Sequence, residues 1–348
     1  MKVNQAELRN ILAALKPGLA KREFVQQACH FIFSGTDVTT FNDKICISHP
    51  FEMDTPFSVK GEEFFRLIDG ITDQEITLAI VDNKIKVRSK STTASMATIA
   101  DDQNTLPGII NTLKKGMKDW KPLPKTFTEG ISLCAFSTCP DLTRGVNACV
   151  LITKDHCVSL DTARSSLFDL KEKIDDELFI VGKEAMELSK FPVIEYCTDG
   201  RWGHFRTEDN VTFSCSLLQG TFPLEKIFTI FGKMKKLPHM EFSSDLKGTV
   251  ESVVMLASDI LDKSGKFVRI KIEDGEIFVK AENELGWAEK TLRTKYKGEV
   301  LFISINSKFL SQILDKSTGL ACEGKMVHFS SGDFQHIIMT TTDSEESK

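Results

Sequence analysis

One phrase recurs three times along this chain: FSVKGEEFFRLIDG from Phe57, FIVGKEAMELSKF from Phe179 and FISINSKFLSQILDK from Phe302. Each copy couples a short apolar, strand-like run to an amphipathic helix, at intervals of roughly 120 residues, and alternating strand-like stretches follow each one. Such repetition restricts the chain to architectures in which an assembly, rather than a single catalytic pocket, carries the function. With 348 residues, each third is still long enough to bury a core of its own.

The rest of the pattern agrees. Leu8, Ile11, Leu12 and Leu15 mark one face of a helix, with Arg9 and Lys16 towards the other. Phe31 to Ser34 and Lys44 to Ser48 read as strands, with Gly35, Asp37, Asn42 and Asp43 as turn residues around them. Glu75 to Val81 and Lys84 to Arg88 form a hairpin about Asp82 and Asn83. Pro107, Gly108, Pro122 and Pro124, around a basic stretch from Lys114 to Lys118, place the first boundary. The middle third repeats the order, with a helix through Ile131, Leu133 and Phe136 and strands at Ala148 to Thr153 and His156 to Asp161. GKMKKLPH, Gly232 to His239, reads as the second linker. A helix bearing Leu246, Val250, Val253 and Val254 opens the last third, and a hairpin from Phe267 to Lys280 turns at Asp274 and Gly275. DSEESK after Thr342 is expected to be a disordered charged tail. The fold class is α+β, with domains 1–123, 124–238 and 239–348, each a pseudo-symmetric unit of two helices and antiparallel sheets.

Composition excludes several classes. The formal net charge of -5 argues against holding nucleic acid by bulk positive charge, though not against a local basic surface. Nine cysteines in strand-like contexts such as Cys46, Cys149 and Cys215 fit small buried hydrophobes in a reducing cytoplasm. The N-terminus lacks the uninterrupted apolar core of a signal peptide, and no stretch is long enough to span a bilayer. Cys134 and Cys139 are too far apart for a tight pair, and no second pair at zinc-ligand spacing follows. His156 and Cys157 are strand neighbours that point to opposite faces. Asp175 and Asp176 read as a solvated turn, and no phosphate-binding Gly-rich loop occurs, so neither metal nor cofactor is implied.

Two stretches carry a resemblance. RGVNACVLITKDHCVSLDTARSSL, Arg144 to Leu167, and FSCSLLQGTFP, Phe213 to Pro223, resemble the middle domain of the bacterial beta sliding clamp, the DNA polymerase III beta subunit; YKGEVLFISINSKFL, Tyr296 to Leu310, resembles its last domain. The resemblance spans nearly the whole chain and is weaker in the first domain. Leu160 replaces the family's usual Thr, no Asp-Tyr follows Phe222-Pro223, and Met339-Thr340-Thr341 replaces Met-Pro-Met. These are departures of the kind a divergent, phage-encoded member would carry.

The resemblance implies a three-domain DNA clamp fold and a homodimeric ring that encircles double-stranded DNA without reading sequence, tethers a replicative DNA polymerase and is loaded by a clamp-loader ATPase. It implies no enzymatic activity, cofactor or membrane. Arg9, Lys16, Lys21, Arg22, Lys60, Arg66, Lys183, Lys190, Lys308 and Lys316 would line the DNA channel; each one alone reads better as a solvated helix face, and only the recurrence in all three units favours the channel. Val146, Leu160, Thr162, Ala163 and Arg164 would form one wall of a partner-peptide cleft, with Ile337, Met339 and Thr341 the other and Ile230 nearby. Val146 and Leu160 fit plain sheet core as well. Met255 and Leu256 would close the dimer, or face their own core. Two other classes of function stay open: a peptide-binding scaffold that does not encircle DNA and, well behind both, an enzyme with an unrecognised Cys or His site.

Overall fold

The computed structural model describes residues 1–100, 105–256, 267–283 and 286–340. The expected charged tail lies outside them. Eight α-helices are described: α1 (Gln5–Leu15), α2 (Gly61–Asp69), α3 (Leu106–Gly116), α4 (Phe127–Ala135), α5 (Gly182–Leu188), α6 (Leu224–Met234), α7 (Asp245–Leu256) and α8 (Ser307–Leu314). Helix α1 starts where the Asn4 side chain accepts the Glu7 amide, and it buries Leu8, Ile11, Leu12 and Leu15, the face marked by the sequence. Asn306 caps α8 in the same way, through the amides of Lys308 and Phe309.

The chain divides into two compact units, Met1–Thr128 with Met186–Leu218, and Glu129–Ala185 with Gln219–Lys348. In the first, all pairings are antiparallel. The order of neighbours is Lys2–Asn4, Glu75–Val81, Lys84–Arg88, Thr93–Ala100, Phe57–Lys60, His30–Phe33, Asp37–Phe41, Ile45–Pro50, Thr212–Leu218, Trp202–Thr207, Val193–Thr198 and Lys121–Pro122. In the second unit the order is Leu178–Val181, Cys149–Ile152, His156–Leu160, Arg164–Asp169, Phe334–Met339, Met326–Ser331, Gly319–Glu323 and Met240–Glu241. Its separate four-stranded sheet runs Gly286–Arg293, Glu276–Asn283, Phe267–Glu273 and Leu301–Asn306. Each unit thus contains a sheet that joins sequence-distant thirds. Ile45–Ser48 pairs with Thr212–Cys215, and Arg164–Phe168 pairs with Phe334–Ile338.

Both hairpins fall where expected, with positive φ at Asp82 and Asn83 and at Asp274 and Gly275, the backbone that tight hairpin turns need. The repeated strand-to-helix phrase forms three times, but its opening phenylalanines are not equivalent. Phe57 and Phe179 are buried while Phe302 is 63% exposed. The shared position is instead the small, buried first residue of each helix, Gly61, Gly182 or Ser307. A Cβ at Gly61 would meet the Leu19 side chain at 2.6 Å, and one at Gly182 would collide with Thr138.

Two local expectations are corrected. Asp37 opens the strand Asp37–Phe41 rather than a turn, because its carboxylate is held by Lys114 and Thr39. The expected second linker at Gly232 begins inside a helix: Gly232, Lys233 and the fully buried Met234 form the last turn of α6. The nine cysteines are all free, six of them buried. No described helix is long and apolar enough to cross a membrane.

Candidate functional site

Pro223, which has no amide to leave unsatisfied, stands at the N-cap of α6. From there Ile227, Phe231 and Met234 recur at helical spacing and are buried against Cys149, Leu151, Val158, Leu167, Phe179, Phe222 and Ile337. Val146, Leu160, Leu224, Phe228, Leu237 and Met326 pack on this cluster while staying partly open. Gly220 admits Val146 to close contact, since a Cβ there would collide with Val146 Cγ1. Met339, at the end of its strand, is 46% exposed. The result is an apolar surface lying over a packed core.

Val146 and Leu160 pack, partly open, on a cluster of the second unit in which Ile337 is buried. Thr162 is exposed and Ala163 half-buried, and the Ala163 carbonyl accepts the Met339 amide at 2.7 Å, which brings that turn to the end of the last strand. Ile230 does not join the cluster. It lies on the open side of α6, 39% exposed, because the buried face is set by Ile227, Phe231 and Met234. Thr341 and the Leu256 side chain lie outside the described residues. Met255 is 71% exposed on α7.

Arg164, which the resemblance assigns to one wall of the cleft, is buried. Its Nε donates to Asp161 Oδ2 at 2.9 Å, one terminal nitrogen to Gln312 Oε1 at 2.5 Å and the other to the Phe136 carbonyl at 2.7 Å, while the guanidinium stacks 4.1 Å from the Phe309 ring centre. Asp161 also accepts the amides of Ala163 and Arg164. The motif Asp161-x-x-Arg164 is a self-capped turn stapled to α8. Burial pulls the Arg164 pKa down, and Asp161 opposes that pull.

Sequence reasoning missed the α6 face and Met326. The spacing of Leu224, Ile227, Phe228, Phe231 and Met234 was available in the sequence, but the Gly and Pro of GKMKKLPH drew attention to a linker.

The basic residues assigned to the channel are mostly at helix ends and exposed, with Lys16 and Lys316 half-buried. Many already have acidic partners. Arg9 pairs with Asp69, Lys16 with Glu62 at 3.2 Å, Lys60 with Glu23 at 3.3 Å and Lys190 with Glu187 at 2.7 Å. Lys21, Arg22, Arg66, Lys183 and Lys308 are exposed.

Ser166 and His336 form a hydrogen bond of 2.7 Å, yet both are fully buried and no carboxylate orients the imidazole. Burial raises the thiol pKa of Cys46, Cys149 and Cys322 to about 12 and of Cys197 to about 11, away from the reactive thiolate. Among the described residues no group of three or more His, Cys, Asp or Glu could hold a metal.

The fold is the α+β fold of DNA sliding clamps. The beta subunit of the DNA polymerase of Streptococcus pyogenes superposes with a TM-score of 0.79 at 17% identity, covering 98% of this chain and 99% of that one. The sliding clamp of Bartonella birtlesii, a DNA polymerase III subunit beta bound to griselimycin, gives 0.79 at 18% identity over 99% of both chains. DNA polymerase III subunit beta of Borrelia burgdorferi, in complex with a natural product, gives 0.79 at 14% identity over 98% of both. No protein-family model and no curated protein matches the sequence.

Proposed function

We propose that this chain is a DNA sliding clamp: a homodimeric ring that encircles duplex DNA, tethers a replicative polymerase, is placed by a clamp-loader ATPase and works in the cytoplasm without catalytic activity of its own. The observation that carries this reading is a whole-chain likeness to polymerase beta subunits, combined with an apolar surface left open beside Met339. Domains 1–123, 124–238 and 239–348 are the repeating parts of each half-ring. Closure uses α7, where Met255 is exposed, and the strand Gly286–Arg293, which pairs on one side only among the described residues and carries Trp287 at 67% exposure. The apolar surface takes the peptide.

A peptide-binding scaffold that does not encircle DNA is the second reading, and one observation favours it. Acidic residues match the basic ones on the helices that would face DNA: α2 carries Glu62, Glu63 and Asp69 against Arg66, and α1 carries Glu7 against Arg9. Helix faces on which acidic groups offset the basic ones attract phosphate weakly, and a scaffold needs no such attraction.

The decisive experiment loads the protein onto nicked circular DNA and then linearises it. A clamp is retained before the cut and lost after it; a scaffold is retained in neither case. Met255→Asp should give folded monomers by sedimentation, and an unchanged dimer removes Met255 from the interface. Joint reversal at Lys60, Lys183 and Lys308 should slow loading while retention on closed circles persists. Met339→Asp should weaken binding of the polymerase's own peptide by calorimetry and leave the ring intact. Equal affinity would place the peptide site elsewhere.

A further inference from the structure

We infer that the apolar surface over α6 is built for a peptide whose anchor is flanked by carboxylates, an inference that rests on the peptide-site reading above. Although the chain as a whole is net negative at -5, the end of α6 and the turn facing it are basic. Lys233 pairs with Glu323 at 2.7 Å, which ties the last turn of α6 to the Gly324-Lys325 turn leading into Met326. The Lys325 carbonyl accepts the Thr340 amide at 2.9 Å, so the same turn reaches the end of the strand that carries exposed Met339. Lys235 and Lys236 continue directly from α6, with the Lys235 amide bonded to the Phe231 carbonyl at 2.9 Å.

Lys235, Lys236 and Lys325 are thus placed around one edge of the apolar surface, all exposed. Among the described residues none of the three has an acidic partner within ion-pair distance, in contrast to neighbouring Lys233. Ammonium groups left unpaired next to an exposed apolar anchor site match an anionic segment attached to an apolar one. Complementary charge of this kind raises the association rate and selects the partner, and it is screened by salt.

The test uses the full chain and two short labelled peptides that share one Leu-Phe anchor, one flanked on both sides by Asp and Glu, the other by Asn and Gln. Fluorescence anisotropy at low salt should show the acidic peptide binding about tenfold tighter, with the advantage collapsing at roughly 0.5 M salt. In the Lys235→Glu/Lys236→Glu variant that advantage should vanish while the neutral peptide binds as before. Equal affinities for the two peptides, or an acidic advantage that survives the lysine reversal, overturn the inference and leave the cleft standing. Binding of neither peptide overturns the cleft reading itself. Displacement of the acidic peptide by a short DNA duplex of equal charge would assign the lysines to nucleic acid, and the inference would again fail.

Discussion

Helix α3, with Pro107 in its first turn, and helix α6, with Pro223 at its N-cap, each pack on a sheet that joins two thirds of the chain, yet charge is used differently beside the two apolar faces. Over the first, Leu106 and Ile110 bury against Ile32, Phe41 and Cys46, while Trp202 and Phe24 cover Phe41 at ring separations of 6.0 and 6.4 Å. Lys114 then turns inwards, and its ammonium lies 2.8 Å from both Asp37 oxygens. Over the second, α6 leaves Val146, Leu160, Phe228 and Met326 half-covered and Met339 exposed. The charge on that side is spent elsewhere, with Arg164 folded under the sheet against Asp161 and Gln312. A cation holds a strand carboxylate in the first site and staples a turn in the second, where Met339 stays exposed.

The largest way to break this contrast is Arg164→Ala, which strands Asp161 in a buried position and should cost about 3–5 kcal/mol in urea unfolding. A change below roughly 1 kcal/mol would mean that the staple does not hold the open site together. Next is the acid response of His328, which is fully buried beneath Phe231 and whose pKa is lowered from 6.5 to about 4, first by burial and then by His239. His239 Nε2 lies 2.7 Å from His328 Nδ1, Gln335 is 3.2 Å from Nε2, and Lys235 adds positive charge. Between these two pKa values the unfolded chain binds the proton and the folded one does not, so stability should fall as pH drops through that window. In His328→Gln that loss should be smaller by roughly 2 kcal/mol, measured by unfolding at several pH values; an identical pH profile would contradict it.

Lys114→Met probes the ion pair beside α3 and should cost about 1–2 kcal/mol at neutral pH, since it leaves Asp37 half-buried without its cation. The Asp37 pKa is lowered below 3.8: burial opposes ionisation, but Lys114 and the Thr39 hydroxyl outweigh it. The contribution is therefore present above pH 3.8 and disappears as pH falls through the lower folded value, where variant and parent should converge. The smallest effect is expected at Met339→Ser, which at 46% exposure should change stability by less than about 0.5 kcal/mol while still lowering peptide affinity. A large loss of stability there would make Met339 core and abolish the contrast.

Periodicity and turn chemistry in the sequence alone determined α1, the helix of Val250 and Val253, both tight hairpins and the threefold strand-to-helix phrase, because these follow from contacts within a few residues. The resemblance carried by the motif stretches put Val146 and Leu160 in one reading with Ile337. What only the tertiary structure decided was which side chains those neighbours cover. Gly232 continues a helix because Met234 is packed into a core. Asp37 is strand because a lysine distant in sequence meets it. Phe302 is exposed although its phrase matches that of the buried Phe57. Arg164 is interior because Gln312 and the Phe136 carbonyl, both far along the chain, satisfy its donors. Local spacing specifies a face, but burial and charge pairing belong to residues that become neighbours only when distant segments pack.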